Sequence, residues 1–187
     1  MGPAAACVGE MMAAGPRFNF DRTVILGNSG SGKSWLAQRL ARRLVLPAIA
    51  LDSIQWEAGK RAGAARDPAA AAAMVRRAAT GSRWVIEGAL GWLAQAALPR
   101  ATMLIWLDVD VDTCVANLGK RTKPKSRERR AKLAAWVREY PRRRDSSSYA
   151  GHARIAARFS GDKIVLRSRA EIDDFLARSE ASRRHRH

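Results

Sequence analysis

Acidic side chains are scarce: 17 Asp and Glu stand against 34 Lys and Arg, a formal net charge of +17. Such an excess favours anionic partners. Cysteine is scarcer still. Cys7 and Cys114 are far apart in sequence, which excludes a disulfide framework and a cysteine-built metal site and suits a reducing cytoplasm. No apolar run reaches 18 residues, so no transmembrane helix is expected. The N-terminus lacks a basic leader, and its apolar stretch is broken by Gly9 and Glu10, so it does not read as a signal peptide. Residues 1–17 are expected to form a disordered extension, residues 18–178 a single domain, and residues 179–187 a frayed basic tail. The sequence shows no internal repeat and no motif that sets an oligomeric state.

The positive charge is uneven. Residues 1–114 carry 13 basic and 9 acidic side chains, whereas residues 115–187 carry 21 and 8. Segment 120–144 alone holds 12 basic and 2 acidic residues. Its candidate ligands are a phosphorylated small molecule or nucleic acid. A specific single-strand nucleic-acid mode calls for aromatics among the basic residues. Here only Trp136 and Tyr140 are available, so a small molecule is favoured.

Residues 27–34 read Gly-Asn-Ser-Gly-Ser-Gly-Lys-Ser, a match to the phosphate-binding P-loop. The apolar run Thr23–Leu26 precedes it, and Leu36, Leu40 and Leu44 mark a helix face after it. Strand, glycine loop and helix form the context this motif requires. Glycines let the backbone aim N–H groups at phosphate oxygens, and the helix dipole adds to that field. Lys33 is placed for the β- and γ-phosphates and the Ser34 hydroxyl for Mg2+. A plain glycine-rich turn gives no reason for Lys and Ser in succession.

Further strands are expected at residues 47–51, 84–86, 103–107 and 163–166, with helices near 67–79, 91–98, 112–119, 127–139 and 169–178. Asp67-Pro68 supplies an N-cap and a first-turn proline. Ser168-Arg169-Ala170-Glu171 is a capping box. Short apolar strands alternating with helices imply a parallel sheet covered on both faces, with ligands beyond the carboxyl ends of the strands. That rule singles out Asp52 and Glu87 as the carboxylates that would position Mg2+ or the acceptor hydroxyl. Asp108, at a fourth strand end, reads as a turn or cap residue. Arg121, Arg127, Arg142, Arg143 and Arg144 are candidates to close over phosphates, because the guanidinium fork pairs two oxygens at once. His152 reads as structural, and Trp56, in an irregular loop after Asp52, as a wall of an acceptor pocket.

These residues resemble the small P-loop kinases related to adenylate kinase, and more closely the bacterial family labelled topology modulation protein or adenylate-kinase-like ATPase. The matching pieces are Ile25 to Ser34, Leu51-Asp52 with Trp56, Trp84 to Gly88, Leu104 to Asp108 and Leu166 to Leu176. The resemblance implies an α/β, three-layer P-loop NTPase fold with a five-stranded parallel sheet and a helical lid within 120–145. It implies ATP and Mg2+ as cofactors, with Gly27, Asn28, Ser29, Gly30, Ser31, Gly32, Lys33, Ser34 and Trp35 on the nucleotide and Arg167 beside the adenine. Lys33, Asp52, Glu87, Arg121 and Arg127 are then the catalytic candidates, and Ser34 with Asp52 the metal ligands. The acceptor region is expected within residues 52–92. The chain departs from the pattern it resembles at Trp35, where similar P-loops usually carry threonine, and at Glu87-Gly88-Ala89, where nucleoside-monophosphate kinases usually carry Asp-Gly and an aromatic. The expected activity is transfer of the γ-phosphoryl group of ATP to a small acceptor. The alternatives are a nucleotide-dependent switch ATPase and an ATP-dependent nucleic-acid-associated protein.

Overall fold

The computed structural model describes residues 18–57, 64–120 and 126–184. The N-terminal extension expected at 1–17, and Arg121, lie outside the described residues.

Strand β1, Arg22–Gly27, carries Val-Ile-Leu with no polar alternation, and all but its first residue are buried. A strand buried on both faces is the centre of a sheet. It is flanked by β3, Trp84–Gly88, and β4, Met103–Leu107, while β2, Ala48–Ala50, and β5, Asp162–Leu166, form the edges. The order is β2-β3-β1-β4-β5 and every pairing is parallel. All five expected strands are present. β2 is three residues long, ending before Leu51, which opens a helix instead. A short edge strand leaves little unpaired backbone for another chain to add to.

Side chains alternate across the pleat and divide the core into two layers. Val24, Leu26, Trp84, Ile86, Leu104 and Trp106 face one cluster. Its cover comes from α2, Leu51–Gln55, α3, Pro68–Ala78, α4, Gly91–Ala94, and α7, Tyr149–Arg158. Ile25, Val85, Met103, Ile105 and Leu107 face the other. That side is covered by α1, Lys33–Leu44, α5, Val111–Gly119, α6, Arg127–Arg138, and α8, Arg169–Arg184.

Local chemistry sets the helix ends. Asp67 Oδ1 accepts the Ala70 N–H at 2.9 Å, with Pro68 in the first turn of α3. Ser168 Oγ accepts the Glu171 N–H at 3.1 Å, and Glu171 reaches back to the Arg167 N–H at 2.8 Å. Helix α8 runs on to Arg184, past the expected end at residue 178 and into the segment expected to fray from Ser179. Helix α7 follows a stretch expected as loop, and Ser148 caps it by accepting the Gly151 N–H at 3.0 Å. Helix α1 stops at Val45, which adopts φ 54°, and the Val45 N–H bonds back to Ala41 O. No helix among the described residues is long and apolar enough to cross a membrane.

Candidate active site

The loop between β1 and α1 lies beyond the carboxyl end of the central strand. Gly30 and Gly32 hold φ of 91° and 96°, the left-handed region that favours glycine. They are constrained differently. A Cβ on Gly30 would sit 2.1 Å from the Cys114 carbonyl oxygen, whereas one on Gly32 would meet nothing within 4 Å. The Asn117 side chain donates to Gly30 O at 3.0 Å, so α5 supports the loop from behind. Helix α1 has no side-chain N-cap and no acidic residue in its first turn. The main-chain N–H groups of Gly30, Gly32 and Ser34 donate to no group among the described residues. Donors converging at a helix N-terminus favour an anion.

Lys33 is buried, and its Nζ donates to Asn28 O at 2.7 Å. Ser34 Oγ donates to Glu87 Oε1 at 2.9 Å. The structure therefore joins the P-loop serine to Glu87. Asp52, expected with Ser34 on the metal, is exposed on α2, and its carboxylate makes no hydrogen bond or ion pair with another described residue. The sheet order explains this. β3 lies directly beside β1, with Ile25 in register with Glu87, whereas β2 is one strand further out. Ser31 Oγ is buried without a hydrogen-bond partner, an orphan that a phosphate oxygen would satisfy. Donor set, orphan hydroxyl and hydroxyl–carboxylate pair together fit a Mg2+-bound nucleotide.

A cleft of about 300 Å³ opens beside the loop, lined by Gly30, Gly32, Lys33, Ser34, Trp35, Asn117 and Arg169. The Trp35 ring is sandwiched between two guanidiniums, Arg39 at 4.2 Å and Arg169 at 3.7 Å. Arg169 thus lines this cleft. Arg167, expected beside the adenine, is largely exposed and pairs with Asp108 at 3.5 Å. Burial raises the Asp108 carboxyl above its ordinary value, opposed by that guanidinium. A second cleft of about 400 Å³ lies between α7 and the segment 95–101 that follows α4, and contains none of the expected site residues.

The candidate lid arginines have separate roles. Arg143 stacks on Trp136 at 3.8 Å and donates to Trp136 O at 2.9 Å and Ser147 O at 2.7 Å. It is built into the base of α6. Arg142 pairs with Glu139 at 3.6 Å, and Arg144 is exposed, its carbonyl accepting from Arg154. Arg127 is exposed at the N-terminal end of α6.

His152 is fully buried in a chain of ordered hydrogen bonds. Its Nε2 lies 3.1 Å from Ala89 O. A carbonyl only accepts, so Nε2 carries the proton. Nδ1 then accepts from Tyr140 O–H at 2.8 Å, and the Tyr140 oxygen accepts from Trp106 Nε1–H at 3.3 Å. Burial, with Lys33 and Arg143 nearby, lowers the imidazole to about 4, against the Ala89 hydrogen bond and Asp145. His152 is enclosed and hydrogen-bonded at both ring nitrogens. Trp56 is half exposed and bridges to Ala65. Three residues escaped the sequence reading. Asn117 and Val137 hold the loop, and the Gln55 amide on α2 has a buried oxygen without a partner. Only the amide chemistry of Asn117 and Gln55 hinted at this.

No protein-family model and no curated protein matches the chain in sequence. Solved structures match its fold. A gluconokinase from Sinorhizobium meliloti 1021 aligns with TM-score 0.57 and 16% identity over 89% of this chain and 93% of its own. A shikimate kinase from Bacteroides thetaiotaomicron aligns with TM-score 0.53 and 15% identity over 86% and 97%. A sugar kinase from Janibacter sp. HTCC2649 aligns with TM-score 0.51 and 16% identity over 87% and 94%. The chain has the three-layer fold of the P-loop kinases, a five-stranded parallel sheet with helices on both faces.

Proposed function

We propose that the protein is a cytoplasmic kinase that moves the γ-phosphoryl group of Mg-ATP to a hydroxyl of a small-molecule acceptor. The observation that carries this reading is the Ser34 Oγ–Glu87 Oε1 contact of 2.9 Å beside Lys33, at the end of the central strands. A hydroxyl and a carboxylate held there are a matched pair of oxygen ligands for Mg2+ and its waters. ATP would bring the transferable group, and Mg2+ would offset the charge on its oxygens. Lys33 and the loop N–H groups hold phosphate, and Ser31 Oγ adds a donor. Arg169 and Trp35 form a wall of the donor cleft. The acceptor enters over α2, where Asp52 is exposed and Trp56 forms a wall. Arg127 and Arg121 remain the candidates to approach the transferred group. The three structural neighbours are a gluconokinase, a shikimate kinase and a sugar kinase, which supports the same class.

The basic face of α6 supports a second reading, an ATP-dependent nucleic-acid-associated protein of the topology-modulation type. The two aromatics of segment 120–144 are committed elsewhere: Tyr140 is buried in the His152 network and Trp136 is covered by Arg143. Base stacking on this face is therefore not expected.

The test is ADP release from Mg-ATP with a panel of nucleosides, nucleoside monophosphates and hydroxylated carboxylic acids. Lys33→Ala should abolish release. Glu87→Gln should raise the Mg2+ requirement and lower turnover by about 10²-fold or more. Asp52→Asn should lower transfer while leaving ATP binding intact. Slow release indifferent to the whole panel refutes the kinase reading in favour of a switch ATPase. Stimulation by DNA or RNA, lost steeply with salt, selects the second reading.

A further inference from the structure

Asn28 occupies a position that the P-loop pattern leaves open, yet it is fully buried and engaged on all sides. Its Oδ1 accepts the Ser29 N–H at 2.9 Å. Its main-chain oxygen accepts from Lys33 Nζ at 2.7 Å and from the Ser31 N–H at 3.2 Å. Its Nδ2 crosses to α6 and donates to Val137 O at 3.0 Å. That carbonyl is in the last turn of α6 and also accepts the Tyr140 N–H at 3.2 Å. The neighbouring Trp136 carbonyl is met by Arg143 at 2.9 Å. The end of α6, where helical carbonyls lack internal partners, is thus completed by the phosphate loop on one side and Arg143 on the other. Tyr140, two residues past the helix, is tied through His152 to Ala89, just beyond Glu87 and Gly88. The opposite end of α6, Arg127 to Lys132, is exposed.

We propose that Asn28 is a positioning residue that couples phosphate at the P-loop to the setting of helix α6. This rests on the nucleotide reading above. The Lys33 ammonium that bonds the Asn28 carbonyl is the group a phosphate oxygen competes for, and a charged acceptor is the stronger partner. Once Lys33 turns to phosphate, the Asn28 carbonyl keeps its 3.2 Å bond from the Ser31 N–H but loses the shorter, charged one, and the peptide is freer to reorient. The Asn28 side chain holds Val137 in a buried hydrogen bond, costly to leave unmade, so the helix end follows the loop. Movement at Val137 therefore becomes a swing of the basic end of α6 relative to the P-loop cleft.

The test is amide hydrogen exchange across residues 127–140 of the full chain, with and without Mg2+ and saturating non-hydrolysable ATP analogue. Binding is checked separately by displacement of a fluorescent nucleotide. Asn28→Ser keeps a short acceptor for the Ser29 N–H but does not reach Val137; Asn28→Ala is the second variant should the first fail to fold. Tyr140→Phe loosens α6 without touching Asn28. The wild type and Tyr140→Phe should show nucleotide-dependent slowing of exchange in α6 of about threefold or more, and the Asn28 variant none. A slowing retained in the Asn28 variant overturns the proposal. So does its equal loss in Tyr140→Phe, which would mean general loosening, or its absence in a wild type that binds nucleotide. A wild type that binds no nucleotide overturns the reading beneath it.

Discussion

Acid should destabilise the fold through one side chain. His152 has an ordinary value of 6.5 in the unfolded chain and about 4 when folded, chiefly through burial. Between those values the unfolded state binds the extra proton, so lowering the pH favours unfolding. The contribution is fully present above about pH 6.5, falls as the pH drops through this window, and levels off below about 4. At pH 5 the loss is about 2 kcal/mol, rising to roughly 3 kcal/mol at full protonation. The geometry agrees, because a protonated Nδ1 would present a donor to the Tyr140 hydroxyl, which would have to surrender its own donor role. The assay is urea unfolding at pH 7.5 and 5.0, followed by tryptophan fluorescence, for the wild type and His152→Gln. The amide does not titrate. The variant should be less stable at pH 7.5 by about 1–3 kcal/mol for the broken network, and that gap should close by about 2 kcal/mol at pH 5. Equal pH dependence in the two proteins would refute the reasoning.

Two further predictions separate steric from conformational limits. Gly30→Ala should abolish nucleotide binding, because its Cβ would meet the Cys114 carbonyl oxygen at 2.1 Å; Gly32→Ala has open space and should cost only about 1–2 kcal/mol of backbone strain, as fluorescent-nucleotide titration and thermal melts of both variants would show. Val45→Asn should stabilise the protein by about 1 kcal/mol in urea unfolding, since the residue is exposed and holds φ 54°, a conformation asparagine tolerates better than a β-branched side chain.

The sheet was legible because its strands are short apolar runs stopped by Asp, Glu-Gly or Arg-Ser, and because the glycine loop identifies β1. What sequence does not carry is lateral order. Asp52 and Glu87 both follow strands, but chain order places β2 before β3, whereas the sheet places β3 beside the P-loop strand. Only that order decides which carboxylate reaches Ser34. Helix α7 was obscured by Gly151 and the serine run before it. Its signal was present: Ser148 as cap, then His152, Ile155, Ala156 and Phe159 buried at helical spacing. The contacts of Asn28 and Asn117 were hidden for another reason. Their partners are main-chain carbonyls of distant segments, which leave no trace in side-chain patterning.

The basic segment shows how charge density and charge function diverge. By composition, residues 120–144 form one cationic block with 12 basic side chains. In the fold the block divides at the end of α6. On the inner side, Arg143 is desolvated and meets two carbonyls and the Trp136 ring. A guanidinium suits that task because its planar fork serves two acceptors while its face stacks. On the outer side, Arg127 and its neighbours stand at the helix N-terminus, where the dipole opposes positive charge. Cations placed against the dipole gain nothing from it, and Glu128 in the same turn pairs with Lys132 at 2.6 Å. The inner arginine fixes the root of the helix and the outer ones are positioned by it. A single helix thus joins the P-loop, through the bond from Asn28 to Val137, to an exposed basic end.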